Sequence, residues 1–196
     1  MSSDMSYEEM LALLREGGID TDTFDQKSLK TLKQLHDEIV AFDIVLVHDH
    51  MRGRISRVAT TVRVRITAQE DHFLLVEKKR VHPNGERSRE NFDYSISETR
   101  KRGEGTSAAV VRGVWEECGI VINEGMVEYN AWYWPTRRES YYPSSTYNGI
   151  WTFAMYDVAN VKLPCLPWKA KIVEDNGVQI HLEWIELTDL ATSALT

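Results

Sequence analysis

Gly103-Glu104-Gly105-Thr106-Ser107-Ala108-Ala109-Val110-Val111-Arg112-Gly113-Val114-Trp115-Glu116-Glu117-Cys118-Gly119-Ile120 is the stretch on which the reading of the fold turns. Val110, Val111, Val114 and Cys118 fall on one stripe at helical spacing, and Gly119 stands where a helix C-terminus commonly needs a left-handed residue. The spacing predicts a helix over Thr106 to Cys118. On it Arg112 and Glu116 lie one turn apart, as do Gly113 and Glu117, while Glu104 sits just before the helix start. Three carboxylates, Glu104, Glu116 and Glu117, are thereby placed to converge. Such a cluster repels itself unless a cation joins it, and hard oxygen ligands favour Mg²⁺ or Mn²⁺, which also bridge to phosphate oxygens. Arg112 is placed to hold one glutamate in position. Cys118, on the apolar stripe, reads as a small buried hydrophobe.

Outward from this helix the texture is mostly β. Ile44 to Val47, Val58 to Ile66 and Phe73 to Val76 read as strands before it, with Val62, Val64 and Ile66 on one face. Met126 to Tyr133, Ile150 to Tyr156 and Val178 to Ile185 read as strands after it, and Thr188 to Leu195 as a short closing helix. Between Val76 and Asn91 runs a very polar loop with a turn signal at Pro83-Asn84-Gly85. Its Lys78, Lys79, Arg80, Arg87 and Arg89 are candidates to grip an anion. Toward the N-terminus, Tyr7 to Arg15 and Leu29 to Ile39 carry helical patterns, the second about four turns long with one apolar face to bury on the body or on a second subunit. The composition shift divides the chain into a helical extension, residues 1–42, and a β-rich domain, residues 43–196.

Composition bounds the function classes. The chain has 196 residues, 42% apolar, enough for one core of ordinary size. With 30 acidic against 23 basic residues the net charge is −7, which argues against nucleic acid as a partner. Two cysteines in unrelated contexts, Cys118 and Cys165, write neither a disulfide framework nor a zinc site, so a reducing cytoplasmic setting is expected. No apolar run approaches the roughly 18 residues of a membrane helix, and no membrane partner is expected. His48-Asp49-His50 lacks a third neighbouring ligand and reads as a polar turn.

The central segment resembles the Nudix box, Gx5Ex7REUxEExGU with U aliphatic. Glu104, Arg112, Val114, Glu116, Glu117, Gly119 and Ile120 match it, with Gly103 in the Gly-Glu step before the helix. Two positions depart: Glu98, in Ser95-Ile96-Ser97-Glu98-Thr99, stands at the opening Gly, and Gly113 stands at the Glu after Arg112. His181 to Leu190, around Trp184, is similar to the strand and helix that close many Nudix domains, so the resemblance spans roughly residues 56 to 195. It implies an α+β fold, a Nudix-like α/β/α sandwich with a mixed sheet, here with an N-terminal helical extension. It also implies Mg²⁺ or Mn²⁺ held by Glu104, Glu116 and Glu117, with Arg112 orienting a glutamate. The Glu replaced by Gly113 commonly binds metal or serves as general base in the family, a role worth about 100- to 10,000-fold. Glu98 and Glu174, the latter beside Asp175 in the loop before the last strand, are the candidates to compensate for it.

Specificity is expected in Trp132-Tyr133-Trp134-Pro135-Thr136-Arg137-Arg138-Glu139-Ser140-Tyr141-Tyr142-Pro143. Trp132, Trp134, Tyr141 and Tyr142 offer faces to stack on a flat ring, and Arg137 joins Arg80 and Arg89 as a candidate phosphate contact. Two functions remain open from the sequence. One is a hydrolase of a diphosphate linkage in a small nucleotide-like or other metabolite. The other is a repurposed fold that binds, isomerises or cyclises a small molecule in the aromatic pocket, and Gly113 is the residue that separates them.

Overall fold

The computed structural model describes residues 5–41, 43–88, 93–129, 138–166, 171–173 and 177–187. The elements run α1 (Tyr7–Glu16), α2 (Phe24–Lys27), α3 (Leu32–Val40), β1 (Ile44–Asp49), β2 (Arg54–Ala68), β3 (Phe73–His82), β4 (Gly85–Ser88), β5 (Ile96–Thr99), α4 (Thr106–Cys118), β6 (Val127–Tyr129), β7 (Arg138–Pro143), β8 (Trp151–Leu163), β9 (Lys171–Val173) and β10 (Gln179–Glu186). This is the expected α+β class, with a mixed open sheet. No described helix is long and apolar enough to cross a membrane. The expected closing helix at Thr188 to Leu195 lies outside the described residues.

The chain divides into two compact units, and the division does not follow the composition shift at 42/43. The first comprises Met1–Thr61, Thr99–Glu104 and Arg138–Met155; the second comprises Val62–Glu98, Gly105–Arg137 and Tyr156–Thr196. In the first unit the N-terminal helices share a core with strands: Met10, Leu14, Phe24, Leu32, Leu35 and Ile39 pack with Ile44, Leu46, Ile55, Tyr147 and Ile150. The apolar face of α3 is thus buried within its own unit. β1 pairs antiparallel with the start of β2, from Ile44↔Ala59 to Asp49↔Arg54. The expected helix over Leu29 to Ile39 begins three residues later. Thr31 caps it, accepting from the Gln34 backbone N–H while the Gln34 side chain accepts from the Thr31 N–H, and Leu29 and Lys30 instead donate to the Thr146 carbonyl.

In the second unit the strand order is β6-β8-β2-β3-β10-β9, with β4 on β3 and β5 on β2. α4 forms over the expected residues. Gly119 closes it at φ 64°, its N–H donating to the Trp115 carbonyl while the Ile120 N–H donates to that of Val114. The helix buries Ala109, Val110, Val114 and Cys118 against Val62, Val64, Ile66, Leu75, Val161, Ile180 and Leu182, while Trp115 faces solvent.

The polar loop expected after Val76 is instead a hairpin. β3 continues to His82 and turns through Pro83-Asn84 into β4, pairing Lys79↔Ser88 through His82↔Gly85. Opposite β10 its register slips: Leu182 faces Glu77 but His181 faces Lys79, so Lys78 is an extra residue. Such a bulge reverses the inside-outside alternation beyond it, which turns both Glu77 and Arg80 inward.

Leu75, fully buried in the second core, gives a direct check. Leu75→Ala should lower unfolding free energy by about 2–5 kcal/mol, the range for buried leucine truncation, as measured by urea denaturation. A change below about 1 kcal/mol would contradict this packing.

Candidate active site

The chemistry-bearing residues of the second unit gather on the face of α4 that meets β3 and β5. Arg80 is the hub. Its guanidinium donates to both oxygens of Glu77, at 3.2 and 2.8 Å, and to Glu117 Oε2 at 2.6 Å. Glu77 and Glu117 are both buried. Arg87, reaching across the β3–β4 hairpin, donates a further bond of 3.4 Å to Glu77. Burial works against the Arg80 charge, but Glu117 and Glu77 more than offset it and its pKa is raised.

Arg112 forms the second half of the network. One of its terminal nitrogens donates to Glu98 Oε1 on β5 at 2.8 Å and to Glu116 Oε2, one helical turn on, at 3.0 Å. The pairing predicted between Arg112 and a box glutamate is therefore present, and it extends to Glu98. Burial, and next the negative charge of Glu117, push the Glu98 carboxyl up to about 8 despite Arg112. Gly113 lies directly beneath this side chain. A Cβ there would fall 2.7 Å from Glu98 Cγ and 2.8 Å from its Cβ.

The remaining expected residues fall as follows. Glu104 belongs to the first unit. Its side chain accepts from the Lys101 N–H at 2.9 Å, and its carbonyl accepts from Arg100 at 2.7 Å. Tyr141, also in that unit, stacks on Trp151 with ring centroids 4.9 Å apart, carries Arg52 over its face at 4.8 Å and pairs its hydroxyl with Ser56 at 3.0 Å. Tyr142 is partly exposed. Arg80, expected as a phosphate contact on a polar loop, instead lies on β3 with its guanidinium turned inward onto Glu77 and Glu117. Arg89, Trp132, Trp134, Arg137, Glu174 and Asp175 lie outside the described residues. Cys118 is buried, and burial, then Glu117, push its thiol well up, consistent with a packing role. His48 and His50 sit together at the end of β1 and the turn after it, with ring centroids 4.2 Å apart.

Glu77 was not singled out in the sequence. It ends an apolar run, in phase with Leu75, and a carboxylate on a core-facing strand position is the signal that marks it.

The donor set suits a hard divalent cation in its chemistry. Among the described residues the carboxylates of Glu77, Glu98, Glu116 and Glu117 meet the guanidiniums of Arg80, Arg87 and Arg112. Among the described residues the oxygens stand on guanidiniums, and no three His, Cys, Asp or Glu side chains form a ready ligand group.

No family model matches the sequence, and no curated protein matches it. Among solved structures, the chain is similar to an E. coli dihydroneopterin triphosphate pyrophosphohydrolase at 17% identity and TM-score 0.43, over 68% of this chain and 84% of that one. It is similar to a C. elegans Ap4A hydrolase at 15% identity and TM-score 0.37, over 71% and 88%. A NUDIX hydrolase from Nitrosomonas europaea is similar at 16% identity and TM-score 0.40, over 70% and 78%.

Removing the hub should expose the network's dependence on it. Arg80→Met leaves Glu77 and Glu117 buried without their main partner and should cost about 3–5 kcal/mol of stability by urea denaturation. Adding Glu117→Gln and Glu77→Gln should recover part of the loss; a neutral Arg80→Met would contradict the network.

Glu98 sets a pH dependence. In metal-free buffer its folded pKa of about 8 stands above its ordinary 4.5. Its contribution to stability is therefore complete below about 4.5 and lost as pH rises through about 8. The melting temperature of the wild-type chain relative to Glu98→Gln should fall across that window, and a flat difference would contradict the assignment.

Proposed function

We propose that the chain is a Nudix-type hydrolase that cleaves a diphosphate linkage in a small nucleotide-like or other diphosphate metabolite, with Mg²⁺ or Mn²⁺ as cofactor. The observation that carries the proposal is the clustering of Glu98, Glu116 and Glu117 around Arg112 and Arg80 on the box helix and the strands beside it. Glu116 and Glu117 would hold the cation, turning from their guanidiniums to do so. The ligand role that the resemblance implies for Glu104 is a proposal of the same kind and rests on its box position alone. When bound, the ion supplies neutralisation of the charge that develops on phosphate oxygens.

The protein's own groups have separable tasks. Arg112 fixes the Glu98 and Glu116 carboxylates relative to each other, since one of its nitrogens serves both. Arg80 ties Glu117 to the β3–β4 hairpin. Glu98, held by Arg112 at 2.8 Å beside Glu116, is the candidate to accept a proton from an attacking water. In this proposal Arg89 and Arg137 contact outer phosphates, Trp132, Trp134, Tyr141 and Tyr142 set specificity, and Glu174 is a further candidate carboxylate.

Phosphate release over a panel of nucleotide derivatives, with Mg²⁺ titrated in, tests the proposal. Turnover is expected to require the cation and to fall at least about 100-fold in Glu117→Gln, the low end for a positioned catalytic group. No turnover of any compound, or an unchanged rate in that variant, would contradict it.

A further inference from the structure

We infer that the two departures from the box pattern are one reciprocal exchange: Glu98, on β5, delivers to the site the carboxylate that the helix lacks at Gly113. The inference rests on the hydrolase reading and deepens it. The pattern has glycine at the first position and glutamate at the second; this chain has the reverse, and the structure brings the two residues into contact. A Cβ at position 113 would meet Glu98 Cγ at 2.7 Å, Cβ at 2.8 Å and Oε2 at 3.3 Å. The two shortest of these contacts involve the base of the Glu98 side chain, which cannot swing aside without moving β5. The space therefore admits a side chain from one element or from the other, and not from both. This also accounts for a glycine in the middle of a helix, a choice that costs about 1 kcal/mol relative to alanine.

The carboxylate so delivered is not a bystander. Arg112 binds it with the same nitrogen that binds Glu116, and the Glu117 charge acts on it directly. It reaches the cluster from the strand side, whereas a glutamate at 113 would project from the helix. Gly113 is thus the complement of Glu98 and not a vacancy in the site.

Five proteins test the exchange: the wild-type chain, Glu98→Gly, Gly113→Glu, the double variant carrying both, and Glu98→Gln. The probes are Mn²⁺ alone, by titration calorimetry, and the thermal unfolding midpoint; hydrolysis is followed in parallel. Glu98→Gly should weaken Mn²⁺ binding about 10- to 100-fold, as loss of a group supporting a metal site does. Gly113→Glu should weaken it likewise and lower the midpoint, because the added side chain displaces Glu98. The double variant should return to within about threefold of the wild-type affinity, the non-additivity of residues in direct contact. Glu98→Gln, which keeps the packing, should not lower the midpoint at neutral pH yet should bind Mn²⁺ about tenfold more weakly.

A double variant no better than the worse single one, or Glu98→Gln with wild-type affinity, would overturn the exchange while leaving any measured hydrolysis standing. The expected coupling in Mn²⁺ affinity with no substrate hydrolysed would support the exchange and overturn the hydrolase reading. Absence of Mn²⁺ binding by the wild-type chain at millimolar concentration would overturn both.

Discussion

A single part-buried guanidinium, that of Arg80, is the interaction on which the arrangement depends. It bonds Glu77 of its own strand and Glu117 of α4 at once, and neither carboxylate has much water to turn to. Charges taken out of solvent remain charged only while a partner is held in place. The hairpin and the helix are therefore locked together as electrostatic partners as well as through the apolar contacts around Leu75 and Val114. The bulge at Lys78 makes this lock available, since without the extra residue Glu77 and Arg80 would point to opposite faces of β3.

Much of this was legible in the sequence, and the parts that were not have physical causes. α4 could be read residue by residue because its apolar stripe, its acidic face and Gly119 all agree on one helix. The hairpin of β3 and β4 was read as a loop because its outward side chains are nearly all charged, and polarity alone does not separate a solvated strand from a loop. The inward turn of Arg80 is hidden for a related reason: the bulge at Lys78 changes which face the residues beyond it occupy, and no periodicity in a single chain reports one. The start of α3 was placed too early because Leu29 continues the apolar spacing, whereas the capping pair of Thr31 and Gln34 decides where the helix begins.

The relation between Glu98 and Gly113 was only half legible. Each departure was visible, and Glu98 stood out as a candidate to compensate. That the two residues compete for the same volume requires the strand to be placed over the helix, which depends on contacts distant in sequence. The first unit is a different case. Its core of α1, α3, β1 and Tyr147 is well formed, with the Tyr147 hydroxyl donating to Glu38 at 2.8 Å and Lys30 paired to the same carboxylate, and the helices first read as an appendage are integral to it. Its Tyr141 and Trp151 rings stack on each other, each with an arginine over it.

In the proposed enzyme the carboxylates now resting on Arg80 and Arg112 form the cation site. A crystal of the full chain soaked in Mn²⁺, with data collected for the anomalous signal of that metal, tests it most directly. An anomalous peak is expected within direct coordination distance of Glu117 and Glu116 oxygens, with the Glu98 carboxylate still seated over Gly113. Arg80 and Arg112 still holding those same oxygens, with no peak beside α4, would contradict it.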